Sequence, residues 1–232
     1  MKKKFTRYAL YFLPSDGSEL QKFGDSWLGW SVSKRQAIKQ PRIGNQSLSV
    51  ITKKPRKYGF HGTLKAPFHL ADGVSENHLI TTTKALVDSI QIFQIPALQI
   101  ARLGSFLAFV PQQPSVPMHQ LANRLVRELD KLRAPLSDAE LKRRRTGGLT
   151  LTQDALLTKW GYPFVMDEFR FHLTLSDKLQ ADELQRITTI LQSHTSHLTG
   201  TPISVDDVGL VGEAEDGRFH LICRLPLAAV KS

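Results

Sequence analysis

Apolar and polar residues alternate in several short stretches of this 232-residue chain and recur at helical spacing in others. Alternation predicts a strand ending at Tyr11-Phe12-Leu13-Pro14, followed by a helix over Ser18–Trp30. A second strand ends at Ala108-Phe109-Val110-Pro111, before a helix over Met118–Arg133. Further strands run through Phe60-His61-Gly62-Thr63-Leu64 and Phe171-His172-Leu173-Thr174-Leu175. Helices over about Glu76–Ile92 and Asp182–His197 follow, with Ser75 and Asp182 placed to cap them, and then strands opened by Pro96 and Pro202. Phe219–Leu225 reads as a last strand, set off by the hairpin signal Glu215-Asp216-Gly217.

The two five-residue stretches nearly copy each other, and the order strand, helix, His-strand, helix, strand occurs twice. The chain therefore reads as a duplication, with pseudo-repeats over about 5–103 and 104–211 and a last strand over about 218–227. A helical insertion spans about 137–160, and a polar, basic loop runs from about Ser31 to Lys57. No Gly/Ser-rich linker separates the halves, so they are expected to pack directly as one bilobal domain. With a period of two, His61, Thr63 and Lys65 share one face of the first strand. Arg170, His172 and Thr174 share one face of the second. Each half thus offers an imidazole and a hydroxyl, and a pseudo-twofold arrangement brings both pairs to one cleft.

Composition is that of an ordinary folded protein, and a formal charge of +10 favours anionic partners such as phosphorylated metabolites or RNA. The single cysteine, Cys223, excludes an internal disulfide framework and suits the cytoplasm. Met1-Lys2-Lys3-Lys4 resembles the start of a leader, but the apolar run Tyr8–Leu13 is short and stops at Pro14, so it reads as a strand. No stretch is long and apolar enough to span a bilayer. Gly209-Leu210-Val211-Gly212 lacks the Lys-[Ser/Thr] ending of a phosphate loop.

Two facing imidazoles suit a reaction that removes a proton on one side and supplies one on the other, since histidine titrates near ~6.5. Hydroxyls beside them can donate to anionic oxygens. The matching substrate is a phosphodiester, above all a cyclic one, with neither metal nor cofactor required. Lys65 and Arg170 are candidates for charge compensation, against a salt-bridged role. Trp160 and Tyr162 can stack on a base or ribose, or simply pack the insertion against the sheet. Tyr58 is a packing residue or part of the cleft rim. Within Arg143-Arg144-Arg145, Arg143 is the candidate substrate contact, against an exposed helix face. The other histidines carry no paired context.

These residues resemble the two-histidine (2H) phosphoesterase superfamily, which includes LigT-like cyclic phosphodiesterases and 2′-5′ RNA ligases. Its paired h-His-x-[Thr/Ser]-h strands are matched by His61/Thr63 and His172/Thr174. Arg56 to Phe68, Trp160 to Phe164 followed by Asp167 to His172, and Arg7 to Phe12 resemble the branch associated with bacterial phosphonate-metabolism operons. Gly62 stands where that branch is expected to carry alanine. The resemblance implies an α+β, bilobal, duplicated LigT-like fold, with two mainly antiparallel sheets and outer helices around a central cleft. It implies a metal-independent hydrolase that opens 2′,3′-cyclic or related ribose cyclic phosphates with His61, His172, Thr63 and Thr174. A binding protein for RNA ends or phosphometabolites and a 2′-5′ RNA ligase are the rival readings. The oligomeric state is open, a monomer being compatible.

Overall fold

The computed structural model describes residues 5–44 and 47–229, so the leader-like start at Met1 to Lys4 lies outside the described residues. The chain enters β1 (Tyr8–Phe12), whose five residues are all buried, and continues into α1 (Glu19–Leu28). The Ser18 hydroxyl accepts from the Gln21 amide to start this helix, and Gly29 ends it at φ 78°. The basic stretch read as a loop holds β2 (Trp30–Ser31), β3 (Gln36–Ala37) and the short helices α2 (Leu48–Ile51) and α3 (Lys53–Tyr58). The first half closes with β4 (Gly62–Phe68), α4 (Glu76–Val87), β5 (Phe93–Ile95) and β6 (Leu98–Leu103). The second opens with β7 (Phe106–Pro111) and α5 (Val116–Glu128), then the expected insertion, α6 (Asp138–Arg145) and α7 (Leu151–Trp160). It ends with β8 (Leu173–Thr174), α8 (Ala181–Thr195), β9 (Ile203–Val205), β10 (Asp207–Glu213) and β11 (Phe219–Pro226).

Local signals explain most boundaries. Ser75 caps α4 by accepting from the His78 amide, as expected. Asp182 does not cap α8: the N-cap is Gln180, and Asp182 lies in the first turn, where its charge complements the helix dipole. Both insertion helices begin with reciprocal capping boxes, Ser137 with Glu140 and Thr150 with Gln153. The second histidine strand is shorter than its alternation predicts, its ladder pairing being confined to Leu173 and Thr174.

The fold is α+β, and its main sheet is antiparallel with the order β11-β10-β1-β4-β8-β7-β6. The two sheets expected from the duplication meet along their inner edges at a single pair, Gly62 opposite Leu173, which makes one seven-stranded sheet. Each half lends its last strand to the other. β6 of the first half pairs with β7 of the second, and β10 of the second pairs with β1 of the first. This exchange accounts for the absence of a linker.

Alternation along β1 assigns the two faces of the sheet. Leu10 and Phe12 join a core shared with Trp27, Leu79, Leu125 and Ile187 from the helices. Ala9 and Tyr11 point to the opposite face, where they pack with Trp30, Val211 and Phe219. Among the described residues no helix is long and apolar enough to cross a membrane.

Candidate active site

His61 immediately precedes β4, and its ring Nδ1 lies 2.8 Å from the Gly59 carbonyl oxygen. A carbonyl only accepts, so Nδ1 carries the proton and Nε2 keeps its lone pair. That lone pair accepts the Thr63 hydroxyl at 2.9 Å. Gly59 sits at φ 73°, the left-handed region that turns its carbonyl toward the ring without strain. Burial pushes the His61 imidazole down to about 4, with the charge of His172 adding to the effect. At neutral pH His61 is therefore an uncharged base.

The second half repeats the device. His172 immediately precedes β8, and its Nδ1 donates to the Arg170 carbonyl at 2.8 Å, again two residues upstream. Its Nε2 and the Thr174 hydroxyl have no hydrogen-bond partner among the described residues. Burial lowers the His172 imidazole as well. One step either side of the Gly62–Leu173 pair, the antiparallel register sets His61 opposite Thr174 and Thr63 opposite His172. In a regular pair such histidines are diagonal neighbours, their backbones roughly 7–8 Å apart.

All four side chains line one cleft of about 910 Å³, large enough for a phosphorylated nucleoside or sugar. Tyr11 forms part of its wall. The Tyr11 ring stacks on His61 with centroids 3.6 Å apart and planes 22° from parallel, and its buried hydroxyl has no partner.

Of the other sequence candidates, Tyr58, Tyr162 and Arg170 line this cleft, Tyr58 also stacking on Phe219. Lys65 does not. Leu10 pairs with Lys65 while Tyr11 pairs with Thr63, so Leu64 is an extra residue in a bulge, and the alternation changes phase there. Lys65 turns inward, 3 % exposed, and donates to the Val126 carbonyl at 3.2 Å in the last turn of α5. Trp160 is also outside the cleft; it packs against the buried cluster of Val126, Val165 and Met166. Arg143 is exposed and faces Glu140 at 3.7 Å, and the neighbouring Arg144 enters the cleft instead.

Sequence reasoning missed Tyr11 and Arg7, and within the run Arg143 to Arg145 it singles out Arg143 where the structure brings in Arg144. Tyr11 had a usable signal, its alternation with Leu10 and Phe12 beside the first histidine strand. Arg144 had none, because α6 buries no residue and so has no apolar stripe to fix its phase. Arg7 lines the cleft while held by Glu213, with Nε 2.6 Å and Nη2 2.9 Å from its carboxylate oxygens. The same carboxylate takes Lys57 at 2.8 Å, and these partners hold it down at about 2.

A family model described as "Protein of unknown function (DUF1045)" matches residues 63–220. A curated relative in Janthinobacterium sp. (strain Marseille), named ribose 1,5-bisphosphate phosphokinase PhnN, is 37% identical over 222 residues, covering 93% of this chain and 49% of that protein. One of the same name in Laribacter hongkongensis (strain HLHK9) is 31% identical over 220 residues, covering 94% and 51%. The chain thus spans about half the length of the curated relatives it matches. Among solved structures, E. coli LigT complexed with 3′-AMP aligns at 16% identity and a TM-score of 0.44, covering 96% of this chain and 98% of that one. E. coli LigT complexed with NADP+ aligns at 15% and 0.45, covering 97% and 99%.

Proposed function

We propose, from the premise that this chain belongs to the DUF1045 family, that it is a phosphoesterase opening cyclic phosphodiesters by two-histidine acid/base catalysis. One observation carries the reading. Two histidines from duplicated segments are each pinned at Nδ1 by a carbonyl two residues upstream, and both line one cleft beside a threonine hydroxyl. The pinning leaves both Nε2 atoms for chemistry.

In the proposed reaction a water oxygen bonds to phosphorus as the bond to the ester oxygen breaks. One Nε2 takes the water proton, and the other, protonated, gives its proton to the leaving oxygen. His61, whose imidazole burial pushes down to about 4 and so holds in the neutral form, is assigned the base, and His172, also lowered, the acid. Thr174 donates to a non-bridging oxygen, and the Thr63 hydroxyl does the same by turning from His61 Nε2 to the substrate, which frees that lone pair for the water proton. An anionic substrate in the cleft offsets the burial that disfavours a charged imidazole, so binding raises the acid's proton affinity.

The substrate class is a 2′,3′-cyclic or related ribose cyclic phosphate, in a cytoplasmic setting, and the phosphonate connection implied by the sequence resemblance belongs to this proposal. The kinase activity in the relatives' names is read as lying outside this segment. Gly209 and Gly212, which lack the ending of a phosphate loop, lie within β10, where a Cβ would lie 2.7 Å from Leu13 and 2.3 Å from Phe5 respectively. They serve close packing.

The test is a hydrolysis screen of nucleoside 2′,3′-cyclic phosphates, ribose cyclic phosphates and short RNA with 2′-5′ or cyclic ends. Product formation that disappears in both histidine variants supports the reading. Tight binding with no product from any of them overturns it in favour of a binding protein, and joined RNA ends would indicate ligation.

A further inference from the structure

Arg144 is out of keeping with the basic run around it. In α6, Arg143 faces Glu140 at 3.7 Å, and Arg145 is held by Asp154 of α7 at 2.6 Å. Arg144 turns into the cleft, its guanidinium 5.8 Å from the Tyr162 ring centroid. It has no ion pair and no hydrogen bond among the described residues, and its Nε is buried without a partner. Glu140 lends it weak opposite charge, while Arg143 and Arg7 oppose it.

The wall around it is rich in cations. Arg7 and Lys57 divide the one carboxylate of Glu213, Glu140 acts on Arg144 only at a distance, and Glu168 is the acid that lines the same cleft. The Tyr11 hydroxyl is buried and unpartnered in the same wall, within electrostatic reach of Arg7, Tyr58 and Tyr162. A guanidinium Nε and a phenol hydroxyl buried without partners are costly, and folded proteins keep few such atoms. An anion with several oxygens would satisfy them together, the planar guanidinium fork matching phosphate geometry.

We propose that Arg144, with Arg7 and the Tyr11 hydroxyl, forms a second anion subsite that binds a phosphomonoester carried by the same substrate. This rests on the phosphoesterase reading. Tyr11 sets the spacing: its ring lies on His61 and its hydroxyl is within electrostatic reach of Arg7, which in turn is coupled to Arg144, so the second phosphate sits one tyrosine ring beyond the reacting phosphorus. A single sugar bearing both a cyclic phosphate and a phosphomonoester fits that span.

The test compares adenosine 2′,3′-cyclic phosphate with its 5′-phosphorylated form on the full chain. Charge-assisted contacts predict about tenfold or higher kcat/KM for the phosphorylated form. In Arg144→Gln that ratio falls toward one, and Arg144→Lys retains part of it. Equal kcat/KM for both substrates in the wild-type protein overturns the subsite while leaving the phosphoesterase reading standing. If neither substrate is opened, calorimetry with adenosine 3′,5′-bisphosphate and adenosine 3′-phosphate decides separately. Tighter binding of the bisphosphate, lost in Arg144→Gln, supports the subsite, and equal binding overturns it.

Discussion

A Cβ on Gly62 would lie 2.4 Å from the Phe171 ring, so the two residues that adjoin the histidines touch where the halves of the sheet join. The alanine expected here from the family resemblance has no room unless Phe171 moves. Gly62→Ala is expected to cost roughly 1–3 kcal/mol through overpacking. It should also lower turnover, since Phe171 and His172 are consecutive. Urea denaturation and steady-state rates check this, and an unchanged midpoint would contradict the close approach.

The duplicated histidine strands were legible because tandem His-x-Thr segments on alternating strands fix both residue type and facing. The helices were legible from caps such as Ser75. Lys65 was misplaced because a bulge at Leu64 reverses facing, and a bulge depends on the partner strand, which period-two reasoning cannot see. Arg144 was passed over for Arg143 because a wholly polar helix carries no record of its own rotation. The exchange of β6 and β10 between halves was hidden for a similar reason: strand order depends on pairing over long sequence distances.

His61→Ala and His172→Ala are each expected to reduce turnover by roughly 10²–10⁴-fold, the range for one well-placed proton-transfer group. Circular dichroism should show both variants folded. Chelators should leave the wild-type rate unchanged, because every proton transfer proposed uses an imidazole. Full activity in either folded variant would remove that residue from the mechanism.

Lys65 should matter for stability and not for catalysis. Burial lowers its ammonium to about 8, from the usual 10.5. Between those values the unfolded chain holds the proton that the folded chain has lost, so stability rises with pH across that window. Below about 8 the full burial penalty applies. Lys65→Met removes the penalty and should raise stability at pH 7 by roughly 1–3 kcal/mol. The rise in stability between pH 8 and 10.5 should flatten, and turnover should persist. Loss of turnover in a stable Lys65→Met protein would return the lysine to the site.

The pH dependence of kcat/KM follows from the two imidazoles, because that constant reports the free enzyme. The base works only when neutral, and His61 becomes protonated as pH falls through about 4, which sets the acid limb. The acid works only when protonated, and burial holds His172 below its ordinary 6.5, which sets the alkaline limb. Activity should therefore peak on the acid side of neutrality and decline before pH 7. Exchanging the two roles gives the same limbs, so the bell alone does not assign them. A substrate whose leaving group departs without a proton, such as a 4-nitrophenyl phosphodiester, separates them. With it, His172→Ala should recover much of its rate and lose the alkaline limb, while His61→Ala should stay slow. Recovery in His61→Ala instead would reverse the assignment.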